Sequence, residues 1–244
     1  MRNVVVTGGS RGLGLGIAKA LAASGYSVIC ISRRPSDELN HAMEEADRTK
    51  EGALQFLPFD LLDIEKIPQL FETLRKNHGP IYGLVNNAGL GVGGILATMQ
   101  NADIERLIRL NTLSPILLTK YVVRMMMVQN EGRIVNIASI AGLTGFNALS
   151  VYGATKASLI GFTRSLAREV GRSNITVNAV APGYVDTDMT KAMSEEDRQT
   201  VIRRSALRRL PEVDDVANAV EFLLSEKAKN VTGTVMTVDA GSIA

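Results

Sequence analysis

The stretch Thr7-Gly8-Gly9-Ser10-Arg11-Gly12-Leu13-Gly14 follows the β-branched run Asn3-Val4-Val5-Val6 and leads into an apolar, helix-length segment. It reads as strand, glycine turn and helix in immediate succession. Glycines permit a tight turn and let another group come close to the backbone. The helix that follows offers unpaired N–H groups and the positive end of its dipole, which together suit an anion. Gly8, Ser10, Arg11, Gly12, Leu13 and Gly14 are therefore candidates to cradle a pyrophosphate. The spacing is not the common G-x-G-x-x-G, and a plain tight turn is the alternative. The position of the loop between the first strand and the first helix favours the phosphate.

Outward from this unit, short β-branched runs alternate with amphipathic segments. Strands are predicted over residues 3–7, 27–32, 53–60, 83–86, 133–138, 175–181 and 234–239. Helices are predicted over 13–24, 36–50, 64–77, 103–128, 151–172 and 213–225, the fourth broken near Pro115. Several strands are apolar throughout, as expected where helices cover both faces of a sheet. The pattern predicts a single-domain α/β protein with a Rossmann-type, doubly wound parallel sheet of about seven strands. No linker, repeat or low-complexity tract divides residues 1–244. Such sheets bind ligands beyond the carboxyl ends of their strands, so residues after strand ends are read first for function.

Of 244 residues, 45% are hydrophobic, ample for one core. With 27 basic against 25 acidic residues the chain offers no electrostatic footprint for nucleic acid. The only cysteine, Cys30, sits in an apolar run, so neither a disulfide framework nor a thiolate metal site is expected. His41 and His78 lack ligand partners at metal spacing, and no metal is expected. The chain enters its first strand without a signal peptide and carries no membrane-length apolar run, which predicts a cytoplasmic protein with no membrane partner.

The end of the second strand bears on the nucleotide. An acidic residue there suits the ribose 2′-OH of NAD, whereas arginine suits the 2′-phosphate of NADP. The residues are Ser32-Arg33-Arg34, with no carboxylate until Asp37, which reads as part of the next helix start. Arg11 approaches the same predicted spot from the glycine loop. The three arginines converge there and favour NADP(H); solvated surface charge is the alternative.

Tyr152 and Lys156 stand four residues apart on a predicted helix, so phenol and ammonium share one face. A free Tyr titrates near pKa ~10. A cation within roughly 4–6 Å lowers that by about 1–3 units. Tyr152 would then serve as a general acid or base near neutral pH. Ser139, upstream, offers a hydroxyl to polarise a carbonyl and hold its developing charge. The three read as machinery for interconverting a carbonyl and an alcohol, although the Tyr–Lys spacing alone also fits a solvated pair.

With these residues placed, the chain resembles the short-chain dehydrogenase/reductase family over essentially its whole length. The resemblance is carried by Thr7–Gly14, Asn86-Asn87-Ala88-Gly89, Asn111, Ser139, Tyr152, Lys156 and Pro182-Gly183. It implies that Asp60 and Leu61 lie at the adenine, and that Asn87, Ala88 and Gly89 line the adenosine ribose. It implies that Lys156 holds the nicotinamide ribose while lowering the Tyr152 pKa, and that Asn111 supports a water relay to Lys156. Pro182, Gly183, Val185 and Thr187 are expected around the nicotinamide, and residues 188–210 are expected to form a substrate lid. The helices holding residues 111–128 and 151–172 are expected to pair with other copies, giving a homotetramer.

Within the family the chain is most similar to the 3-oxoacyl-[acyl-carrier-protein] reductases, through residues 160–170, Ala181-Pro182-Gly183-Tyr184-Val185 and the closing Val238-Asp239. That similarity implies reduction of a 3-oxoacyl thioester, on acyl carrier protein or coenzyme A, with hydride from NADPH and a proton from Tyr152. Two departures stand out. Leu90-Gly91-Val92-Gly93-Gly94-Ile95 is apolar where those reductases are polar, and Asn130 is neutral where they carry a basic docking residue. Arg203, Arg204, Arg208 and Arg209 are candidates to compensate. The alternatives are an NADP(H)-dependent dehydrogenase of another secondary alcohol, or a non-catalytic NADPH-sensing protein; all four catalytic positions being filled argues against the second.

Overall fold

The strands expected from the sequence all form, and they lie parallel in one sheet. The computed structural model describes residues 1–49, 52–185 and 194–244. Strands β1 (Asn3–Thr7), β2 (Ser27–Ser32), β3 (Ala53–Pro58), β4 (Ile81–Asn86), β5 (Gly132–Ile137), β6 (Ile175–Pro182) and β7 (Val235–Val238) follow the spatial order β3-β2-β1-β4-β5-β6-β7. They are joined by α1 (Gly12–Ala23), α2 (Asp37–Thr49), α3 (Ile67–His78), α4 (Asn101–Ile108), α5 (Ser114–Gln129), α6 (Ser150–Val170), α7 (Glu195–Arg204) and α8 (Val213–Leu224).

Alternate residues of a strand face opposite sides of the sheet. Val4 and Val6 belong to one core with residues of α1 and α8, and Val5 to a second core with residues of α3, α5 and α6. Each of the three valines is fully buried, worth roughly 1.5–3 kcal/mol apiece. This double coverage is why the strands read as continuous apolar runs. Gly16 lets α1 and α8 touch: a Cβ there would lie 2.1 Å from Val213 Cγ1. Among the described residues, no helix is long and apolar enough to cross a membrane.

Two boundaries differ from the sequence reading in ways that shape the site. Strand β3 ends at Pro58, two residues early, so Asp60 falls in a loop where its Oδ1 accepts from Leu62 N at 3.0 Å. The long helix predicted over 103–128 begins earlier, at Asn101, and changes its winding just ahead of Pro115, which sits in the first turn of α5. Between α4 and α5 the backbone widens into a π-helical turn, Arg109–Leu113. Such turns collect at functional sites, and this one buries Asn111 to 1% exposure.

The strand order reverses at β1, which is flanked by β2 and β4. The crevice beyond the carboxyl ends of β1 and β4 is thus the expected ligand position.

Candidate active site

The glycine loop is built around close approach rather than flexibility. Gly8 and Gly12 take φ +68° and +52°, in the region that L side chains rarely adopt. A Cβ on Gly14 would lie 2.2 Å from Gly8 O and 2.5 Å from Asn87 Nδ2. The loop is fastened to the end of β4 by Thr7, whose Oγ1 accepts from Asn87 N at 2.9 Å and Ala88 N at 3.0 Å. Asn87 Nδ2 donates back to Thr7 O at 2.9 Å. Arg11 precedes α1, its backbone O accepting from Leu15 N at 3.3 Å, while its donor-only side chain caps none of the first-turn amides.

Arg11, Arg33 and Arg34 are exposed, and none forms an ion pair among the described residues. Asp37 opens α2, as the sequence suggested, while Ser36 Oγ accepts from Leu39 N at 3.1 Å. Ser36 Oγ also donates to Ser10 O, joining this turn to the glycine loop. Ser10 and Leu13 are half-buried, and Leu61 is buried beside the loop that holds Asp60.

Ser139, Tyr152 and Lys156 are brought together by a short 3-10 turn, Ile140–Gly142, packed on the start of α6. Glycine makes that packing possible on both sides. A Cβ on Gly153 would lie 2.8 Å from Ala141 O, and one on Gly142 would lie 2.7 Å from the Lys156 carbonyl carbon. Ser139 Oγ caps the turn, accepting from Ala141 N at 3.1 Å, and its hydroxyl lies near enough to the Tyr152 phenol to favour the phenolate. Lys156 is 5% exposed, its Nζ donating to Ile137 O at 2.8 Å and lying 5.8 Å from the centre of the Tyr152 ring.

The electrostatics correct one expectation. Burial pushes the Tyr152 phenol above its ordinary value, the neighbouring Ser139 hydroxyl opposes this, and nearby Tyr184 adds to the rise. Burial brings the Lys156 amine itself down to about 8 and its Nζ faces Ile137 O, so burial rather than the ammonium sets the direction of the Tyr152 shift. Desolvation outweighs the pairing that spacing alone suggested.

Asn111 is clamped rather than free. Its Oδ1 accepts from Leu90 N at 2.8 Å, and its Nδ2 donates to Leu90 O at 2.8 Å and Thr155 Oγ1 at 3.2 Å. Gly89 separates it from the lysine: a Cβ there would lie 3.3 Å from Asn111 Oδ1 and 3.5 Å from Lys156 Nζ. On the far wall, Pro182 is buried, Gly183 N donates to Val238 O at 3.0 Å, and Val185 is in the core. Thr187 and residues 188–193 of the expected lid lie outside the described residues; the remainder holds α7, with Ser194 Oγ accepting from Asp197 N at 3.1 Å.

Sequence reasoning missed several contributors. Thr155 Oγ1 donates to Tyr152 O at 2.7 Å while accepting from Asn111, tying two candidate residues together. Tyr184 stacks edge-on against Phe146, 6.4 Å between ring centres. Behind them a buried polar chain runs from Asn86 Nδ2 to Asn136 Oδ1 at 2.8 Å and from Asn136 Nδ2 to Thr163 Oγ1 at 2.8 Å. Thr155 sat inside the Tyr152–Lys156 motif, but no residue-type pattern marks a threonine as a strut.

Residues 2–198 match the sequence profile of the family described as short chain dehydrogenase. The chain is 38% identical over 237 residues to the 3-oxoacyl-[acyl-carrier-protein] reductase of Escherichia coli K12, covering 97% of this chain and 95% of that one. It is 40% identical over 238 residues to the enzyme of that name from Aquifex aeolicus, with 97% and 95% covered. A solved short-chain type dehydrogenase/reductase from Mycobacterium ulcerans superimposes with a TM-score of 0.92 at 32% identity, covering 99% of this chain and 89% of that one. With this extent of match the chain belongs to the short-chain dehydrogenase family.

Proposed function

We propose that the protein is an NADP(H)-dependent reductase of 3-oxoacyl thioesters. The observation that carries this reading is the convergence of Ser139 and Tyr152, brought together where the turn after β5 packs on α6, with the buried Lys156 one helical turn on, at the carboxyl edge of the sheet beside the glycine loop. The near full-length similarity to 3-oxoacyl-[acyl-carrier-protein] reductases supplies the substrate class.

The residues fit a dinucleotide. The backbone at Gly8 and Gly14 lies where any Cβ would intrude, and the space beside Gly12 is open. Gly8, Ser10, Arg11, Gly12, Leu13 and Gly14 would hold the pyrophosphate, with Arg33 and Arg34 at the 2′-phosphate. Asp60 and Leu61 would meet the adenine, and Asn87, Ala88 and Gly89 the ribose. Pro182, Gly183, Val185 and Thr187 would bound the nicotinamide. When bound, the cofactor supplies the hydride.

The chain's own groups do the rest. Ser139 Oγ orients the substrate carbonyl oxygen, and the Tyr152 phenol gives that oxygen its proton, turning ketone into alcohol. A phenol held above its ordinary pKa stays protonated at neutral pH, which suits a donor in the reductive direction. Lys156 stands ready to compensate the phenolate that remains, and Asn111 keeps Leu90 and Thr155 in place around it. Exposed Arg203, Arg204 and Arg209 offer a basic face to an acidic carrier, whereas the Arg208 guanidinium is turned back on Arg203 O.

A second reading, an NADP(H)-dependent dehydrogenase of another secondary alcohol, is favoured by the exposed apolar side chains Val92, Ile95 and Leu96 on the loop after β4. The test is NADPH oxidation followed by its near-ultraviolet absorbance, with acetoacetyl-CoA as substrate and Tyr152→Phe as control. Turnover that the substitution abolishes supports the thioester reductase. Faster turnover of a simple ketone than of the thioester overturns it in favour of the second reading.

A further inference from the structure

Asp239, at the end of β7, is 8% exposed and forms no ion pair among the described residues. A buried carboxylate without a counter-ion is costly unless hydrogen bonds replace its water. Here they come from its own tail. Oδ1 accepts from Gly241 N at 2.9 Å, and Oδ2 accepts from Ser242 Oγ and Ile243 N, both at 3.1 Å. Bonds of this kind to a charged acceptor are the strong ones. They fold the tail through two successive left-handed residues, Ala240 at φ +55° and Gly241 at φ +72°.

That turn presents two carbonyls to the segment following α7. Ala206 N donates to Gly241 O at 3.2 Å, and Leu207 N donates to Ala240 O at 3.0 Å. The fit is close: a Cβ on Gly241 would lie 2.8 Å from Ala206 Cβ. The neighbouring Ser205 is 1% exposed, and its single hydroxyl proton is shared between Ile202 O and Arg209 O, each 3.0 Å from Oγ. The other side of Asp239 backs the site wall. A Cβ on Gly183 would lie 2.8 Å from Asp239 Cβ, and Gly183 N bonds Val238 O. Gly183 leads directly to Tyr184, whose ring meets Phe146 edge-on and which lies near enough to Tyr152 to raise its phenol.

We propose that Asp239 is a positioning residue for the substrate side of the site, fastening the Gly183–Tyr184 wall and the Ala206–Leu207 backbone to one folded tail. It touches neither substrate nor cofactor and acts through those two contacts. Its effect on turnover rests on the reductase reading above, whereas its effect on the backbone does not.

The experiment pairs amide hydrogen exchange at Ala206 and Leu207 with steady-state kinetics on acetoacetyl-CoA and direct NADPH binding. Asp239→Ala is expected to speed exchange at both amides about tenfold or more, the scale of one lost hydrogen bond. The KM for the thioester is expected to rise by about tenfold while NADPH affinity stays within about twofold. Asp239→Asn, which retains one acceptor oxygen, is expected to fall between. Should Asp239→Ala fail to fold, Gly241→Val disturbs the same clasp by crowding Ala206 and straining φ, and carries the same expectations. Unchanged exchange in a folded variant overturns the proposal, as does an equal loss of thioester and NADPH affinity. If the wild type leaves acetoacetyl-CoA untouched, the reductase reading has failed and exchange alone decides the clasp.

Discussion

Lys156 Nζ stands 5.8 Å from the centre of the Tyr152 ring yet gives its resolved hydrogen bond to Ile137 O at 2.8 Å. The ammonium is therefore poised beside the phenol without being spent on it. Tyr152→Phe removes the proton donor and leaves the Lys156–Ile137 anchor and the glycine loop intact. We expect kcat to fall by at least about 100-fold, the range of general-acid contributions, with NADPH affinity nearly unchanged. Retention of a tenth of the rate would remove Tyr152 from the acid role.

The buried Lys156 also predicts a pH dependence of stability. Its amine titrates near 10.5 when unfolded and at about 8 in the fold. Between those values the unfolded chain binds more protons than the folded one, so this group's contribution makes the protein more stable as pH rises. The full cost of charging it below pH 8 is about 3 kcal/mol. Denaturant melts of wild type and Lys156→Met at pH 8 and pH 10 should show the wild type gaining relative to the variant. An equal response in both proteins would mean that the amine is not desolvated.

Gly14→Ala places a methyl where Gly8 O and the Asn87 amide already lie, at 2.2 and 2.5 Å. Both neighbours belong to the junction of β1 and β4, so neither yields cheaply. Overpacking of this kind costs about 1–3 kcal/mol. We expect a lowered thermal midpoint and no stabilisation by added NADPH, where the wild type gains several degrees.

Asn136 is fully buried, accepts from Asn86 Nδ2 and donates to Thr163 Oγ1. Asn136→Ala takes one bond from each partner and leaves a gap in the core next to the already unpartnered Asn86 Oδ1, while Asn86 Nδ2 keeps Thr119 Oγ1 and Thr163 Oγ1 keeps Leu159 O. The expected loss is about 2–4 kcal/mol in urea denaturation. A loss below about 1 kcal/mol would show that water enters and repairs the chain.

What the sequence reveals here follows from what repeats or carries a residue-type signature. Valine runs such as Val4-Val5-Val6 announce a strand covered on both faces, and Gly8 and Gly14 announce a backbone under close approach. The irregularity ahead of Pro115 is legible because proline lacks an N–H. The π-helical turn that buries Asn111 is not, since no residue type favours five residues of widened helix. Nor does spacing reveal that Lys156 faces Ile137 O, because the phenol–ammonium distance depends on how α6 packs on the turn after Ser139. Long-range struts such as Thr155–Asn111 and Asp239 with its own tail belong to tertiary packing, where no single polar residue type is required.

The arginines at the end of β2 give the last prediction. Arg33 and Arg34 are exposed, form no ion pair among the described residues, and stand beyond Ser32, whose Oγ donates to Arg34 O at 2.9 Å. That bond curls the backbone after β2, toward the turn where Ser36 Oγ reaches Ser10 O of the glycine loop. An unengaged guanidinium beside a nucleotide ribose can form paired, charge-assisted bonds to a phosphate and gains nothing from a hydroxyl. Replacing both with alanine should lower kcat/KM for NADPH by about 10-fold to 100-fold, the worth of one or two such bonds. The value for NADH should stay within about twofold, since the glycine loop is unchanged. Loss of both cofactors together would assign these residues to folding the turn, and loss of neither would move selectivity to Arg11, for which Arg11→Ala is the corresponding measurement.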